Sequence, residues 1–285
     1  MAHLYKQGTS IYKNGSNIFR IGDKYTYTGT PVTTTTTSMR RIFWEPVNNR
    51  IYVPNATAGT VQVIDGVTLT TVATITGVSD ASAVAVDIAK NRMYITDGSG
   101  TLYQYNPTTY AFIANLGSIG GGNGFSIDPV NNRAIGVTYG NPGTAFVIDT
   151  STNTLVTSFA ATTCYAVAHD PVLPQYYLID GSGYCRVYDK ATNGLLTSVY
   201  WGTYLIANIA FDPISQNNRF YAIQRDGGIK IINNTTLGII GDVLGNGITG
   251  VTSWGIACDP TAANMRMVAP NNIAGKLQVI TQSAL

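Results

Sequence analysis

A unit of about 42 residues recurs six times along the 285-residue chain, and this repeat limits the possible folds more than any single motif. An acidic residue closes the first predicted strand of each unit, at Glu45, Asp87, Asp128, Asp170, Asp212 and Asp259. About twenty residues later, five units carry an Asp or Asn with a Thr three positions on: Asp65/Thr68, Asn106/Thr109, Asp149/Thr152, Asp189/Thr192 and Asn233/Thr236. Repeats of this length, with four short strands each, predict an all-β fold of the β-propeller type.

The second unit shows the predicted blade most clearly. Four short apolar or alternating segments follow one another, at Ala83–Asp87, Arg92–Thr96, Thr101–Tyr105 and Tyr110–Ala114. Gly-, Asn- or Pro-containing turns separate them, as expected for antiparallel strands joined by tight hairpins. Each unit is therefore predicted to form one four-stranded blade.

The first strands of the six units predict how neighbouring blades pack. Two positions before the acidic residue stand Phe43, Ala85, Ser126, Ala168, Ala210 and Ala257. One position before it stand Trp44, Val86, Ile127, His169, Phe211 and Cys258. Because successive side chains point to opposite faces of a strand, one face is mostly large and the other small in five units. The small face is expected to let the next blade approach closely near the axis, and Phe43 predicts an irregular closure.

The two ends of the repeat region predict how the ring closes. The sixth unit stops after its third predicted strand, Leu277–Ile280, so a strand must come from elsewhere. Lys24–Thr28 alternates Tyr and Thr and is the expected donor, which gives six blades closed by the N-terminal segment. A seventh blade or a small separate hairpin module, built from His3–Lys6, Ser10–Lys13, Asn17–Ile21 and Lys24–Thr28, is the alternative. We divide the chain into a basic N-terminal segment with a Thr-rich connector, residues 1–38, and a propeller, residues 39–285.

The first unit resembles the YVTN-type β-propeller repeat. The resemblance rests on Glu45–Val53 (EPVNNRIYV), Thr60–Asp65 (TVQVID) and Val72–Ile75 (VATI), and it extends over roughly residues 40–285. The fourth unit departs from the pattern, with Leu173-Pro174-Gln175 in place of Asn-Asn-Arg. Because YVTN-like propellers include surface-layer proteins, adhesins, binding modules and some lactonase relatives, the resemblance implies the fold more than a function. The Arg after each turn recurs around the ring, so we interpret it as structural.

Charge and composition exclude several classes of protein. Residues 1–41 hold six basic groups and one acidic group, whereas the remaining residues hold 11 basic and 14 acidic groups. This asymmetry predicts that the N-terminal part contacts a partner of its own. The alternative is that these charges, spread over 41 residues, are simply solvated. No dense Lys/Arg cluster suggests specific nucleic-acid binding, and no apolar run has membrane-spanning length. The N-terminus has no apolar signal region, and the three cysteines are scattered, so we expect synthesis in the cytoplasm without a signal peptide.

The sequence offers few groups for catalysis. The two histidines are His3, in the terminal segment, and His169, at a position that other units fill with Trp, Val, Ile, Phe or Cys. We interpret His169 as a core residue. The Asp-Gly turns at Asp97–Gly100 and Asp180–Gly183 supply one carboxylate each, too few for calcium, and are interpreted as hairpin turns. We therefore predict no catalytic residue, no metal, no cofactor and no enzyme activity.

The candidate binding site is the mouth of the channel, where the loops preceding the first strands converge. The candidate ligand-binding residues there are Arg40, Arg41, Asn123, Tyr165, Trp201, Tyr204, Asn208 and Trp254. Their aromatic, amide and guanidinium groups suit stacking on and hydrogen bonding to a sugar or peptide. The alternative is that the aromatic side chains plug the channel.

These observations favour a non-enzymatic structural or binding propeller, and within that class a bacteriophage virion or tail component that mediates attachment or assembly contacts. Its expected partners are other protein subunits of an assembly, contacted through residues 1–41, and its expected location is the virion. One alternative is a surface propeller that binds carbohydrate or peptide, with a surface glycan as partner. A second alternative is a lactonase-like propeller enzyme.

Overall fold

The computed structural model describes residues 38–119, 121–140, 142–202, 206–213, 217–243, 253–259, 266–273 and 275–281, and the backbone of residue 282 and of five N-terminal strands. These residues form six four-stranded antiparallel sheets, arranged as the blades of a propeller, and one separate three-stranded sheet. The described part of the chain contains no α-helix, and hence none that would be long and apolar enough to cross a bilayer. The predicted propeller fold and the number of six blades are confirmed, and the seven-bladed alternative is wrong.

The strands follow the chain in order. The N-terminal strands are β1 (Leu4–Gln7), β2 (Ser10–Lys13), β3 (Ser16–Arg20), β4 (Tyr25–Tyr27) and β5 (Val32–Thr33). The first blade contains β6 (Phe43–Glu45), β7 (Arg50–Asn55), β8 (Thr60–Asp65) and β9 (Thr71–Thr76). The second contains β10 (Ala81–Asp87), β11 (Arg92–Asp97), β12 (Leu102–Tyr105) and β13 (Phe112–Asn115). The third contains β14 (Gly124–Asp128), β15 (Arg133–Val137), β16 (Gly143–Asp149) and β17 (Thr154–Ala161).

The remaining blades continue the pattern. The fourth contains β18 (Cys164–His169), β19 (Gln175–Asp180), β20 (Tyr184–Asp189) and β21 (Leu195–Tyr200). The fifth contains β22 (Ile206–Phe211), β23 (Arg219–Gln224), β24 (Ile229–Asn233) and β25 (Ile239–Val243). The sixth contains β26 (Ala257–Cys258), β27 (Arg266–Asn271) and β28 (Lys276–Gln282). Within the first five blades each strand pairs with the next along the chain. The first strand of a blade is the inner one and the fourth is the outer one: β10 is buried, whereas β21 is largely exposed.

The N-terminal segment completes the sixth blade, as predicted. Strand β4 pairs antiparallel with β28, with Tyr27 opposite Ile280, and β5 pairs with the same strand, with Val32 opposite Leu277. By contrast, β1, β2 and β3 pair with one another in a separate three-stranded sheet, and none of them pairs with another strand of the described residues. Part of residues 1–38 therefore belongs to the propeller, and part forms a separate small sheet.

Six apolar clusters, one between each pair of neighbouring blades, hold the ring together. Ala168 and Phe211 pack against the cluster between blades four and five, and Ala257 joins Ile42 and Trp44 between blades six and one. The expected alternation of small and large faces is confirmed at these interfaces. Gly255 marks the closest approach at the closure, because a Cβ there would lie 2.7 Å from the carbonyl oxygen of Arg40.

The repeated acidic residues stabilise the turn that follows each first strand. All six are buried. Asp212 accepts hydrogen bonds from Asn217 Nδ2 at 2.9 Å, from Arg219 Nε at 2.7 Å and from the hydroxyl of Tyr221 at 3.2 Å. Asp259 is bound in the same way by Arg266. In these two blades the Arg after the turn has a structural role.

The second repeated motif caps the turn between the third and fourth strands. Asp189 Oδ1 accepts hydrogen bonds from the backbone N of Ala191 and Thr192, and also from the Thr192 hydroxyl at 2.9 Å. Asn193, the next residue, has a φ of 57°. Asp and Asn favour such turns because their side chains bond the backbone two and three residues on. The repeat thus encodes turn geometry rather than a chemical site.

Candidate ligand-binding mouth

The loops before two first strands, together with the start of β18, bring four of the predicted residues together at one end of the channel. Arg40 and Arg41 precede β6, Tyr165 lies in β18, and Trp254 precedes β26. The guanidinium carbons of Arg40 and Arg41 lie 5.7 and 5.9 Å from the centre of the Trp254 ring, and the ring of Tyr165 lies 6.2 Å from it. The mouth therefore combines cations with aromatic rings.

Arg41 closes the channel at this end. Its side chain is only 4% exposed, and its Nε donates to the carbonyl oxygen of Tyr165 at 2.9 Å. Burial, followed by the charge of Arg40, lowers the pKa of Arg41 to about 9. Burial thus disfavours the charged form of the Arg41 guanidinium. Its contacts with the Tyr165 carbonyl oxygen and the Trp254 ring offset part of this desolvation cost.

A third arginine belongs to the same group. Arg225 lies on the hairpin turn between β23 and β24, and its guanidinium carbon is 4.7 Å from the centre of the Trp254 ring. The backbone N of Ser253 donates to the carbonyl oxygen of Arg225 at 2.9 Å, which holds the turn beside the segment that carries Trp254 and leads into β26. We call Arg40, Arg41, Arg225 and Trp254 the arginine–tryptophan cluster.

An aromatic surface extends from the cluster. The rings of Tyr139 and Tyr165 lie 5.4 Å apart, and Tyr139 is 63% exposed. Burial raises the pKa of Tyr165, and its hydrogen bond with Tyr139 adds to the effect. Gly181 allows this placement, because a Cβ there would lie 2.7 Å from the Tyr165 ring. We call Tyr139 and Tyr165 the tyrosine ledge.

Three other predicted residues are in structural positions, and a fourth is not described. Asn123 Nδ2 donates to the carbonyl oxygen of Cys164 at 2.9 Å and so ties blade three to blade four. Asn208 lines the channel, where its Oδ1 accepts from the backbone N of Ile209 at 2.9 Å. Trp201 is buried between blades four and five, and its Nε1 donates to the carbonyl oxygen of Leu237 at 2.8 Å, so it does not join the cluster. Tyr204 lies outside the described residues.

The channel below Arg41 is a cavity of about 250 Å³. His169 lines it, and its Nδ1 lies 3.2 Å from the hydroxyl of Ser126. Burial lowers the pKa of His169 to about 3, so its ring is neutral at pH 7. His169 and Ser126 thus form a polar contact between blades four and three. In most other blades the residue at the position of His169 is apolar and the one at the position of Ser126 is Ala.

At its other end the channel opens into a wider depression of about 800 Å³. The prolines that follow the first strands lie on its wall: Pro46, Pro129, Pro171 and Pro213. The valines beside three of them, Val47, Val130 and Val172, are largely exposed. One end of the channel is therefore mainly apolar, and the other is cationic and aromatic.

Asp97, Cys164 and Cys185 show how several acidic and thiol groups stabilise a turn or are buried within a blade. No three His, Cys, Asp or Glu side chains of that part of the chain are grouped so as to hold a metal ion. The Asp97 carboxylate accepts from the backbone N of Ser99 and of Thr101, both at 2.9 Å, within the hairpin turn. Burial raises the pKa of the Cys164 thiol to about 12 and raises that of Cys185 as well, so neither is a thiolate at pH 7.

Comparison with known proteins does not assign the chain to a family. No protein-family model matches the chain, and no curated protein is significantly similar to it in sequence. The resemblance to YVTN-type repeats stays a prediction. The β-propeller itself supports a binding or structural role in general.

Proposed function

We propose that this protein is a non-enzymatic structural and binding propeller, a component of a bacteriophage virion or tail that mediates attachment or assembly contacts. The observation that carries the proposal is the division of the N-terminal segment. Strands β4 and β5 complete the last blade, while β1–β3 form a sheet of their own. A small module joined directly to a closed ring suits a subunit that is anchored at one end and presents the ring at the other.

The charge of this segment supports contact with other protein subunits through residues 1–41. It carries six basic groups against one acidic group, opposite in sign to the remainder of the chain. Complementary charge of this kind favours encounter with an acidic surface and fixes orientation. We propose neither membrane insertion nor specific nucleic-acid binding, and we place the protein on the virion after synthesis in the cytoplasm.

The positions of the acidic, histidine and cysteine side chains support the non-enzymatic part of the proposal. The acidic residues of the repeat accept hydrogen bonds within turns, His169 is neutral, and Cys164 is a buried thiol. These groups stabilise blades and interfaces. A catalytic acid, base or nucleophile would need access to a substrate and a pKa suited to its task.

Mass spectrometry of density-gradient-purified particles from the biological source tests the proposal. We expect the chain at a fixed copy number, with chemical cross-links from Lys6 and Lys13 to a second virion protein. Lys230, which is paired with Asp242 in the fifth blade, serves as the internal control and should cross-link within its own chain. Absence of the chain from particles would contradict the proposal, and so would N-terminal lysines that cross-link only within their own chain.

The arginine–tryptophan cluster favours a second candidate function, the recognition of a carbohydrate or peptide at the channel mouth. This function is compatible with the first, because an attachment protein needs a ligand. The observation that supports it is that three guanidinium groups and the accessible rings of Tyr139 and Tyr165 lie close together at one opening of the channel. Binding pockets commonly combine aromatic walls with a few placed polar groups.

A further inference from the structure

We propose that the arginine–tryptophan cluster binds the carboxylate group of an acidic glycan, and that the tyrosine ledge stacks on the sugar rings next to it. The inference rests on the binding role proposed above for the mouth, and it specifies the class of ligand. It does not depend on whether the protein belongs to a particle.

The first argument is an excess of positive charge. The three guanidinium carbons lie 4.7, 5.7 and 5.9 Å from the centre of one indole ring. In the part of the chain that the structure describes, one carboxylate forms an ion pair with them, that of Asp80, whose Oδ1 is 3.9 Å from Arg40 Nη2 and whose side chain is 54% exposed. Among the described residues, Arg41 and Arg225 form no ion pair. Like charges this close repel one another, so a bound anion would lower the energy of the group.

The second argument is that the donors are already oriented. Arg41 is held by the Tyr165 carbonyl oxygen, and the guanidinium groups of Arg40 and Arg225 are held near the face of Trp254. Arg225 is exposed, and Arg40 is 32% exposed, so both can still donate to a ligand. Guanidinium groups bind carboxylates through two parallel hydrogen bonds, and an oriented donor loses less entropy on binding.

The third argument favours a glycan over an acidic peptide. Tyr139 offers an exposed ring beside Tyr165, whose own ring is next to Trp254. Flat amphipathic rings suit the apolar C–H faces of a pyranose, with its hydroxyl groups left in water. An extended peptide is commonly bound by an exposed strand edge, whereas this mouth is made of loops and side chains. The tyrosine ledge beside the arginines therefore fits an acidic sugar residue within an oligosaccharide or polysaccharide.

The test is a binding assay with the full chain against four sets of ligands. They are glycans with uronic or sialic acid residues, the same glycans with the carboxyl groups reduced to alcohols, sulfated glycans, and acidic peptides. We expect binding to the carboxylated glycans, a loss of about tenfold or more on reduction, and weaker binding as NaCl rises from about 0.05 to about 0.5 M. Equal binding of the reduced glycans would overturn the proposal. Binding of only the sulfated glycans, or of only the peptides, would also overturn it.

Two single variants and one control locate the site. Arg225→Gln and Arg40→Gln should each weaken binding about tenfold or more. Arg50→Gln is the matched control: it removes the same charge from the opposite end of the propeller, where Arg50 pairs with Asp65, and should bind as the wild type does. Equal affinities of Arg225→Gln and Arg50→Gln would contradict the assignment. A wild-type protein that is found in particles but binds no carboxylated glycan would contradict this inference alone. A wild-type protein that binds these glycans but is absent from particles would contradict only the proposed virion role.

Discussion

Arg41 donates through Nε to the carbonyl oxygen of Tyr165, 2.9 Å away, and so links the first blade to the fourth across the channel. These two blades are opposite each other in a ring of six. The contact gives a role to a buried guanidinium at a position where the next three units have Ala83, Gly124 and Ala166. Arg41 thus lies between the channel cavity, which it lines, and the other members of the arginine–tryptophan cluster.

Arg41→Lys should lower the free energy of unfolding by about 1–3 kcal/mol. A lysine cannot reproduce the planar contact with the Tyr165 carbonyl oxygen, and its ammonium group is more strongly hydrated. Urea denaturation at pH 7 measures the change. Arg40→Lys is the neighbouring control: it affects a part-exposed side chain and should change stability by no more than about 0.5 kcal/mol. Equal effects of the two substitutions would show that Arg41 has no special role.

His169 should make the protein less stable as the pH falls from 7 to 5. Its pKa is about 3 in the folded protein, because of burial and then the charge of Lys190, opposed by Asp128. The unfolded value is about 6.5, so the unfolded state binds more protons over this range, and stability decreases as the pH falls. The expected loss at pH 5 is about 2 kcal/mol.

His169→Phe, which copies Phe211 of the fifth blade, should remove most of that loss. The comparison is made by urea denaturation at pH 7 and pH 5, above the range in which the carboxylates titrate. A variant that loses as much stability as the wild type over this interval would show that His169 is not the group responsible.

Asp212→Ala should destabilise the protein by about 3–5 kcal/mol, because it leaves the buried Arg219 without its carboxylate. Adding Arg219→Met should restore part of the loss, which a double-mutant cycle measures. Asp242→Ala breaks the more exposed pair with Lys230 and should cost no more than about 1 kcal/mol. If the double variant were as unstable as the sum of the single ones, the pairing would contribute no coupling.

Two truncations separate the parts of the N-terminal segment. Removal of residues 1–20 deletes β1–β3 and should leave the thermal midpoint of the propeller within about 2 °C of the full chain. Removal of residues 1–33 also deletes β4 and β5 and should lower the midpoint by about 5 °C or more, since it exposes the edge of β28. Circular dichroism follows both transitions. Equal midpoints for the two truncations would argue against closure by β4.

The propeller was predictable because the repeat records local geometry. The acidic residue before each turn, the Asp or Asn with its Thr, and the alternation of small and large positions all describe contacts within a blade or between adjacent blades. Lys24–Thr28 was identifiable as the closing strand because the sixth unit lacks one, and residues 25–27 form it. Each of these signals depends on residues a fixed distance apart in the sequence.

The composition of the mouth was less accessible to prediction. Arg225 lies on a hairpin turn rather than before a first strand, and its contact with Trp254 joins two blades. The spacing of the repeat therefore does not indicate that this arginine belongs to the mouth. Trp201 follows β21 as an aromatic residue near the loops, yet its ring packs inward against Phe220 at 5.9 Å. Sequence position indicates the end of a blade but not the direction of a side chain. The Asp-Gly-Gly turn that follows Arg225 was the available clue, since it places that arginine on a loop.

The pairing of β4 with β28 joins residues about 250 positions apart, and this sets a condition on biosynthesis. During translation the first five blades can form in turn as they emerge, because each is made of consecutive strands. The last blade has to wait until residues 276–282 have left the ribosome, while β4 remains unpaired. Until that moment the nascent chain is an open arc with an unpaired edge at each end, and the ring closes only after β28 has emerged.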